Sequence, residues 1–228
     1  MNLEIKNLKY RAGRLHMEID FRFEGRIAAI FGPSGSGKTT LLELIAGFRK
    51  PETGIIRFQN RVLNDAAGSI FVPSFRRNIG YVPQDLALFP HLSAESNLTY
   101  GYQPGGANIL DFQHVADLLE LQPLLSRDIG RLSGGEKQRI AFGRAVLASP
   151  QLLLMDEPMR NLNRELKSKI KELILKIRDL GIPILLVSHD PDEIVGLCDL
   201  VMVIADGKNS ASGEPRLLFS PDPDPHFK

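Results

Sequence analysis

The sequence has little of what secretion, membrane insertion or nucleic-acid binding requires. Its 228 residues include a single cysteine, Cys198, which excludes an internal disulfide and is typical of a reducing compartment. The N-terminal residues contain no apolar core of a signal peptide, and no apolar run approaches the ~20 residues of a membrane-spanning helix. The formal net charge is +1, which gives no reason to expect nucleic acid as a partner. We therefore expect a cytoplasmic protein that works at a membrane only through a partner chain.

The composition is typical of a globular protein with a sizeable core. Hydrophobic residues make up 43% of the chain and charged residues 24%. The length suits one large domain or a domain with a small lobe, and the sequence contains no internal repeat. We expect a single domain over residues 1–228.

Strand patterns occur in both the first and the last part of the chain. Residues 15–23 alternate between apolar and polar side chains, which predicts a half-buried strand, and residues 3–5 are its expected partner. Apolar runs at residues 27–31, 152–155 and 184–187 are of the kind that parallel sheets bury on both faces. Further strands are predicted at residues 54–58, 79–82 and 199–205. The patterns predict an α/β fold with a mostly parallel central sheet and an antiparallel β region at the N-terminus.

The middle of the chain has a helical pattern. Apolar residues recur at helical spacing between residues 92 and 125, interrupted by the glycine-containing stretch 101–106. This predicts a small helical lobe, about residues 86–148, inserted between the strands. A further amphipathic helix is predicted over residues 164–180. The proline-rich tail, about residues 220–228, is expected to be loose.

Residues 32–39 read G-x-x-x-x-G-K-T between a predicted strand and a predicted helix, which is the context of a phosphate-binding loop. The glycines allow a tight turn that brings backbone N–H groups onto phosphate oxygens, and the helix start adds partial positive charge. Lys38 offers a charge to the β- and γ-phosphates, and Thr39 offers a hydroxyl to Mg²⁺. The alternative is a glycine-rich turn that only caps a helix; the strand in front and the two side chains favour the phosphate loop.

Two acidic residues, Asp156 and Glu157, directly follow a predicted buried strand. A carboxylate at the end of a central strand, beside a phosphate loop, is placed to hold Mg²⁺ directly or through water. The next carboxylate can then orient an attacking water or accept its proton. The alternative is a turn with two solvated acids before Pro158, and the phosphate loop upstream favours the catalytic interpretation.

A second helix start carries glycines of its own. Ser133 and Glu136 have the spacing of a capping box for a helix that runs to Ala148. Gly134 and Gly135 lie in its first turn, where each costs about 1 kcal/mol relative to alanine in a helix interior. A simple cap is one explanation; close approach of the backbone to an anion is the other, and it also accounts for the glycines.

Taken together, these motifs resemble those of the ABC (ATP-binding cassette) ATPases over nearly the whole chain. Residues 32–39, 132–136 and 152–158 are similar to the Walker A, signature and Walker B motifs. Gln84 is similar to the Q-loop glutamine and His189 to the switch histidine. Taken singly, Gln84 would more often be a surface amide and His189 a residue at a helix N-terminus; five motifs in the family's order are far more specific.

The resemblance implies a P-loop NTPase fold, ATP and Mg²⁺ as cofactors, and a head-to-tail homodimer in which one chain's Walker A and the other's signature enclose each ATP. It assigns catalysis to Lys38, Glu157 and His189, and Mg²⁺ to Thr39, Gln84 and Asp156. Tyr10 is the candidate for stacking on adenine, although a partly exposed strand tyrosine is an equal alternative. The implied nucleotide-binding residues are Tyr10, Gly32, Pro33, Ser34, Gly35, Ser36, Gly37, Lys38, Thr39, Thr40, Gln84, Ser133, Gly134, Gly135 and Glu136.

One segment departs from the family. After Pro158 the family usually reads Leu-Ser-Ala-Leu-Asp, whereas this chain has Met159, Arg160, Asn161, Leu162 and Asn163. Asn163 can still cap the following helix, but it lacks the negative charge that the family places at the dimer interface. We expect slower or more asymmetric hydrolysis, not its loss.

Within the family the chain is most similar to importer ATPases for small solutes, and to the molybdate group in residues 25–32 and 97–101. This implies integral-membrane permease subunits, an indirect solute-binding partner, no nucleic acid, and a peripheral position on the cytoplasmic face of the membrane. Typical members of that group carry a C-terminal oxyanion-binding regulatory domain, which this sequence, ending at Lys228, lacks. A natural short form, another solute, and a soluble ABC-type ATPase outside transport stay open as alternatives.

Overall fold

The computed structural model of the chain describes residues 2–102 and 111–219, so the predicted tail and part of the glycine-containing interruption lie outside the described residues. The chain divides into two compact units, one formed by Met1–Arg77 with Pro183–Lys228 and the other by Asn78–Ile182. The second unit is longer than the predicted helical lobe. The reason is that two strands and a long helix beyond the lobe belong to the same compact unit.

The described residues form β-strands at every position where the sequence predicts one, and three further short strands that it does not predict. In chain order the strands are β1 Asn2–Ala12, β2 Leu15–Glu24, β3 Ile27–Phe31, β4 Thr53–Phe58, β5 Arg61–Asp65, β6 Ile70–Phe71, β7 Ile79–Val82, β8 Leu152–Asp156, β9 Ile184–Ser188, β10 Leu200–Ala205 and β11 Lys208–Gly213.

Helices are confirmed in the predicted regions, and the described residues of the predicted lobe form short helices, turns and one longer helix, Gly134–Leu147. The α-helices are α1 Lys38–Ala46, α2 Ala94–Leu98, α3 Phe112–Leu118, α4 Gly134–Leu147, α5 Arg164–Asp179, α6 Pro191–Val195 and α7 Pro215–Leu218. Short 3₁₀ turns occupy Ser74–Arg76, Gln122–Leu124 and Ile129–Arg131. Among these described helices none is long and apolar enough to cross a membrane.

The first unit contains a mixed sheet whose strand order is β6-β5-β4-β1-β2-β11-β10-β3-β9. Its N-terminal part is antiparallel, as predicted, with β1 paired to both β2 and β4. Strand β3 pairs in parallel with β10 on one side and β9 on the other. The apolar residues of β3 and β9 are buried, which accounts for their continuous hydrophobic runs.

The second unit contains the parallel pair β7 and β8 together with α2 to α5. Every residue of β8 is buried. Helix α5 buries one stripe, formed by Ile170, Leu173, Ile174 and Ile177, so its amphipathic pattern has the predicted 3.6-residue period. The α/β fold predicted from the sequence is confirmed, because parallel pairs carry the central strands in both units.

Candidate functional site

In the first unit, the chain turns sharply after β3 into the predicted phosphate loop. Gly32 has φ of 154°, and a Cβ there would lie 2.1 Å from the carbonyl oxygen of Ile204. Gly37 has φ of 102°, and its Cβ would meet the sulfur of Met17 at 3.0 Å. Only glycine tolerates both the backbone conformation and the close approach at these two positions. The motif's glycines are therefore required by the geometry of the loop itself.

The start of helix α1 is open. Gly37 is its N-cap, and as a glycine it has no side chain to accept a hydrogen bond from the N–H groups of the first turn. An uncapped helix start presents N–H donors and partial positive charge to an anion. Thr39 is exposed and Thr40 half-buried in the same turn, so both hydroxyls lie beside these donors.

Lys38 is the first residue of α1, and only 6% of it is exposed. Its Nζ donates hydrogen bonds of 2.8 Å to the carbonyl oxygens of Gly32 and Pro33, so the ammonium group lies inside the loop. An ammonium group inside a loop that leads into a helix start adds a full positive charge to the partial charge of the helix, which makes the arrangement suited to phosphate.

A cleft of about 640 Å³ runs along the phosphate loop. One side is formed by Pro33, Ser34, Gly35 and Ser36 of the loop, and the others by the turn at Arg14, Leu15 and His16 and by Asp206 and Gly207. The planar guanidinium and imidazole of Arg14 and His16 therefore lie at the loop. Sequence reasoning missed both, since an arginine and a histidine near a β-turn carry no local signal.

Tyr10 is placed differently from the adenine contact that we predicted. It lies on β1 opposite Met17, is 9% exposed, and its hydroxyl accepts a 2.9 Å hydrogen bond from Arg49. A stacking residue needs one open ring face, and Tyr10 does not line the cleft at the phosphate loop. Its placement therefore does not support the predicted stacking role.

His189 lies at the same edge of the first unit's sheet as the phosphate loop. Strands β3 and β9 are parallel, and Phe31 is paired with Ser188. The residues that follow, Gly32 and His189, therefore leave the sheet side by side. The turn is held by Ser188, whose hydroxyl donates to Glu193 at 2.6 Å and accepts from the N–H of Asp190 at 3.1 Å. His189 itself is exposed.

In the second unit, a parallel strand pair places the predicted Q-loop and Walker B residues near the predicted signature residues. Strands β7 and β8 are parallel, with Val82 paired to Met155, so Gln84 and Asp156 emerge at one edge. A cleft of about 280 Å³ is lined by Gln84, Asp156 and Glu157, and also by Gly134 at the start of α4. The Q-loop, Walker B and signature positions thus meet around one cleft within this unit.

The cleft of the second unit carries oxygen donors of the kinds that Mg²⁺ prefers. Asp156 is buried and provides a carboxylate, and Gln84 provides an amide oxygen. In the first unit, Thr39 provides a hydroxyl at the start of α1. Within residues 2–102 and 111–219 no cluster of three or more His, Cys, Asp or Glu side chains is arranged to hold a metal ion. A single carboxylate with neutral oxygens suits an ion that arrives with phosphate oxygens.

Glu157 has a left-handed backbone, with φ of 47°. Its Oε2 lies 3.2 Å from Nη1 of Arg160, and the Arg160 N–H donates to the Glu157 carbonyl at 3.1 Å. The candidate base therefore has a cationic neighbour within its own turn. Sequence reasoning noted Arg160 as a departure from the family but assigned it no contact.

The predicted capping box at the start of α4 is present in full. The Ser133 hydroxyl accepts from the Glu136 N–H at 3.3 Å, and the Glu136 carboxylate accepts from the Ser133 N–H at 2.7 Å. The Ser133 N–H first, and then the Ser133 hydroxyl, hold the pKa of the Glu136 carboxyl below its ordinary value. Gly134 has open space where a Cβ would be. The box therefore orders the turn while leaving its glycine backbone accessible.

Two side chains fix α4 to the neighbouring loops of its unit. Gln138 is buried and its Nε2 donates to the carbonyl of Pro158, in the loop after Glu157. Arg144 donates to the carbonyls of Ala87 at 2.8 Å and Leu86 at 2.9 Å, just after Gln84. Burial lowers the pKa of the Arg144 guanidinium. The signature helix is thus tied to both the Walker B loop and the Q-loop.

Asn163 caps α5 as predicted, since its Oδ1 accepts from the N–H of Leu166 at 2.9 Å. The Asn163 amide oxygen caps the helix as an aspartate carboxylate would, but it adds no negative charge at the helix N-terminus.

The comparisons with known proteins agree with this geometry. A model of the ABC transporter family matches residues 17–160, which is more than half of the chain. The Molybdenum import ATP-binding protein ModC of Mesorhizobium japonicum is 49% identical over 210 residues, which cover 91% of this chain and 57% of that protein. The protein of the same name from Escherichia coli is 46% identical over 188 residues, 82% and 53% of the two chains. The chain thus spans less than two thirds of the curated relatives that it matches.

Solved structures show the same architecture. cbiO1 of Clostridium perfringens, part of the ABC transporter complex cbiONQ, superposes with a TM-score of 0.81 at 27% identity, covering 96% of this chain and 90% of that one. An ATP-binding cassette of an ABC transporter in its ADP conformation gives 0.79 at 25% identity, covering 97% and 96%. The family model, the motif order and the shared fold lead to one conclusion: this chain belongs to the ABC transporter family.

Proposed function

We propose that this chain is the ATP-binding and ATP-hydrolysing subunit of an importer for a small solute. The observation that carries the proposal is the phosphate loop, in which the buried ammonium of Lys38 lies at the uncapped start of α1. A loop with open N–H donors and a cation of its own is built for the phosphates of a nucleotide. Family membership supports ATP as that nucleotide.

The phosphates of ATP bind to the backbone of residues 32–39, and Lys38 moves from the loop carbonyls to the β- and γ-phosphates. The base then lies on the side of Arg14 and His16, which line the cleft along the loop. Guanidinium and imidazole planes offer stacking surfaces to adenine. This assignment takes the place of the one that we predicted for Tyr10.

Thr39, Gln84 and Asp156 would hold Mg²⁺ by their oxygen atoms, directly or through water. The ion would supply charge neutralisation at the transferred phosphoryl group. Glu157 orients the attacking water and accepts its proton while the water oxygen bonds to the γ-phosphorus and the bond to the bridging oxygen breaks. His189, at the end of β9, donates a hydrogen bond to the γ-phosphate. ADP and inorganic phosphate are released.

Ser133, Gly134, Gly135 and Glu136 complete the site from a second copy of the chain. Helix α4 offers accessible backbone at Gly134, while its capping box already stabilises the turn. Two anion-binding helix starts in one chain are explained if each nucleotide is enclosed by α1 of one copy and α4 of the other. ATP then drives dimerisation, and hydrolysis releases it.

The transported solute is molybdate or a related oxyanion, which the names and the 49% identity of the relatives support. The chain works with integral-membrane permease subunits, and indirectly with a solute-binding protein. It is peripheral to the membrane on its cytoplasmic face. Co-purification with a permease and permease-dependent molybdate uptake would support this; uptake of a different solute, or ATPase activity without any permease partner, would contradict it.

The chemical proposal is tested with Glu157→Gln. We expect turnover to fall by about 10²–10⁴-fold, the usual contribution of a general base, and an ATP-bound dimer to accumulate in size-exclusion chromatography. Glu165→Gln is the matched control, since that carboxylate is exposed on α5 and forms an ion pair with Lys169. A Glu157→Gln protein that hydrolyses ATP at the parental rate would sink the proposed role of Glu157.

A further inference from the structure

The loop that follows the Walker B strand carries an arginine, Arg160, that interacts with the candidate catalytic base. Its Nη1 lies 3.2 Å from Oε2 of Glu157. The family segment that this loop resembles usually has serine at this place. A serine hydroxyl is uncharged and too short to form the same ion pair.

The backbone of this turn favours the pairing. Glu157 and Asn161 both have left-handed φ angles, of 47° and 58°, and the Arg160 N–H donates to the Glu157 carbonyl at 3.1 Å. The Glu157 side chain is 11% exposed and the Arg160 side chain 43% exposed. The carboxylate is therefore the enclosed partner, and the arginine approaches it from the solvent side of the turn.

An arginine in this position competes with water. Guanidinium groups only donate hydrogen bonds, so Arg160 cannot accept a proton from water or pass one on. It forms an ion pair with one oxygen of the carboxylate that the proposed reaction needs as the acceptor of a water O–H. While the pair is formed, that oxygen is held toward the cation.

We propose that Arg160 is a positioning residue that restrains the Glu157 carboxylate in the ATP-bound chain, and thereby lowers the rate of hydrolysis. This inference rests on the proposed function of Glu157. Partly exposed ion pairs are weak, so their loss changes a rate by about 1.5- to 5-fold. Arg160 therefore reduces turnover without preventing it.

Replacement by the family's residue tests the restraint. In the full chain, Arg160→Ser should raise kcat by about 1.5- to 5-fold, while KM for ATP stays within twofold. Arg160→Lys keeps the cation and should stay near the parental kcat. A rate increase distinguishes restraint from a structural role, because damage to the loop would lower the rate. The matched control is Arg22→Ser, which removes an ion pair of 2.7 Å to Glu24 on the exposed face of β2.

Two further measurements distinguish failure of the Arg160 proposal from failure of the role proposed for Glu157. The double variant Glu157→Gln with Arg160→Ser should be as inactive as Glu157→Gln alone, and its affinity for ATP, measured by titration calorimetry, should equal that of Glu157→Gln. An unchanged or reduced kcat in Arg160→Ser overturns the restraint, as does an equal rise in Arg160→Lys. If Glu157→Gln itself keeps the parental rate, the proposed function of Glu157 fails instead.

Discussion

The two glycine-containing helix starts of this chain, at α1 and at α4, differ in how the N–H groups of their first turns are capped. Helix α1 follows Gly37 with no described side-chain cap, and its first residue is the buried Lys38. Helix α4 follows Ser133 and has a complete capping box with Glu136. Both starts have glycine at the turn. The α1 start leaves N–H donors without a side-chain cap beside the Lys38 ammonium, whereas the α4 start satisfies part of its N–H donors with its own side chains.

The difference indicates how each start meets an anion. The α1 start has its own cation and open donors, so it is suited to bind phosphate within a single chain. The α4 start is stable without a ligand and brings a carboxylate of its own, so it is suited to add contacts to a nucleotide already held elsewhere. This is the division of roles that a two-chain nucleotide site requires.

Removal of the α1 cation gives the largest expected effect. Lys38→Ala should weaken ATP binding by about ten- to hundredfold, because charge-assisted hydrogen bonds are worth roughly 1.5–3 kcal/mol. Titration with ATP measures the loss. Lys50→Ala is the matched control, since Lys50 is exposed beyond the end of α1. Equal affinities of the Lys38→Ala and parental chains would show that α1 is not the primary phosphate site.

Removal of the α4 cap should affect stability and dimerisation, and leave ATP binding by the monomer unchanged. Ser133→Ala should lower the free energy of unfolding by about 1 kcal/mol, the usual cost of a lost N-cap, and should abolish the ATP-dependent dimer. Affinity of the monomer for ATP should stay at the parental value. Urea unfolding, chromatography with ATP and titration measure the three quantities. Loss of monomer binding would contradict the division between the two helix starts.

A mixture of the two variants tests whether the site is shared between chains. A head-to-tail pair of one Lys38→Ala chain with one Ser133→Ala chain contains one intact site. The mixture should therefore regain ATPase activity that neither variant has alone, with one intact site in each mixed pair. Activity that stays absent in the mixture would argue against a shared site.

A substitution at the N-cap of α5 should have a smaller effect on ATP hydrolysis. Asn163→Asp adds the family's negative charge and keeps an oxygen for the Leu166 N–H. We expect helix stability to be nearly unchanged and ATP hydrolysis to rise by less than about fivefold, with altered cooperativity. Steady-state rates over a range of ATP concentrations measure both. If the rate and the Hill coefficient both match the parental values, Asn163 has no part in slowing hydrolysis.

The smallest expected effect is the pH dependence of the α4 cap. The pKa of Glu136 is lowered from 4.5 in the folded chain, first by the Ser133 N–H and then by its hydroxyl. A lowered pKa means that the carboxylate stabilises the fold fully above about pH 4.5 and loses this contribution as pH falls through the folded value. Urea midpoints should therefore decline less steeply below pH 4.5 in Glu136→Gln than in the parental chain. Identical slopes would contradict this contribution.

Much of the fold followed from local patterns. The alternation in β2, the apolar runs of β3, β8 and β9, and the helical spacing of α5 all appear where the sequence predicts them. The short strands β5, β6 and β11 were missed, because their pairing depends on neighbours and not on a clear alternation. The compact units also divide the chain elsewhere than the predicted lobe, since strand pairing decides what belongs together.

The site was predictable where its residues are consecutive. Residues 32–39 and the capping box at Ser133 act through backbone and neighbours a few positions away, so spacing alone describes them. Tyr10 was a poor adenine candidate because its burial depends on β1 packing and on Arg49, which no local pattern shows. Arg14, His16 and Arg160 were found only from their neighbours in space.

The sequence by itself determined the phosphate loop, the two glycine-bearing helix starts and the order of the motifs, because turn chemistry and helix capping are local. Only the tertiary structure decided that His189 leaves the sheet beside Gly32 and that Gln84 leaves it beside Asp156, since this depends on the register of parallel strands far apart in the chain. It also decided that Arg160 meets Glu157, because a left-handed turn brings the two side chains together.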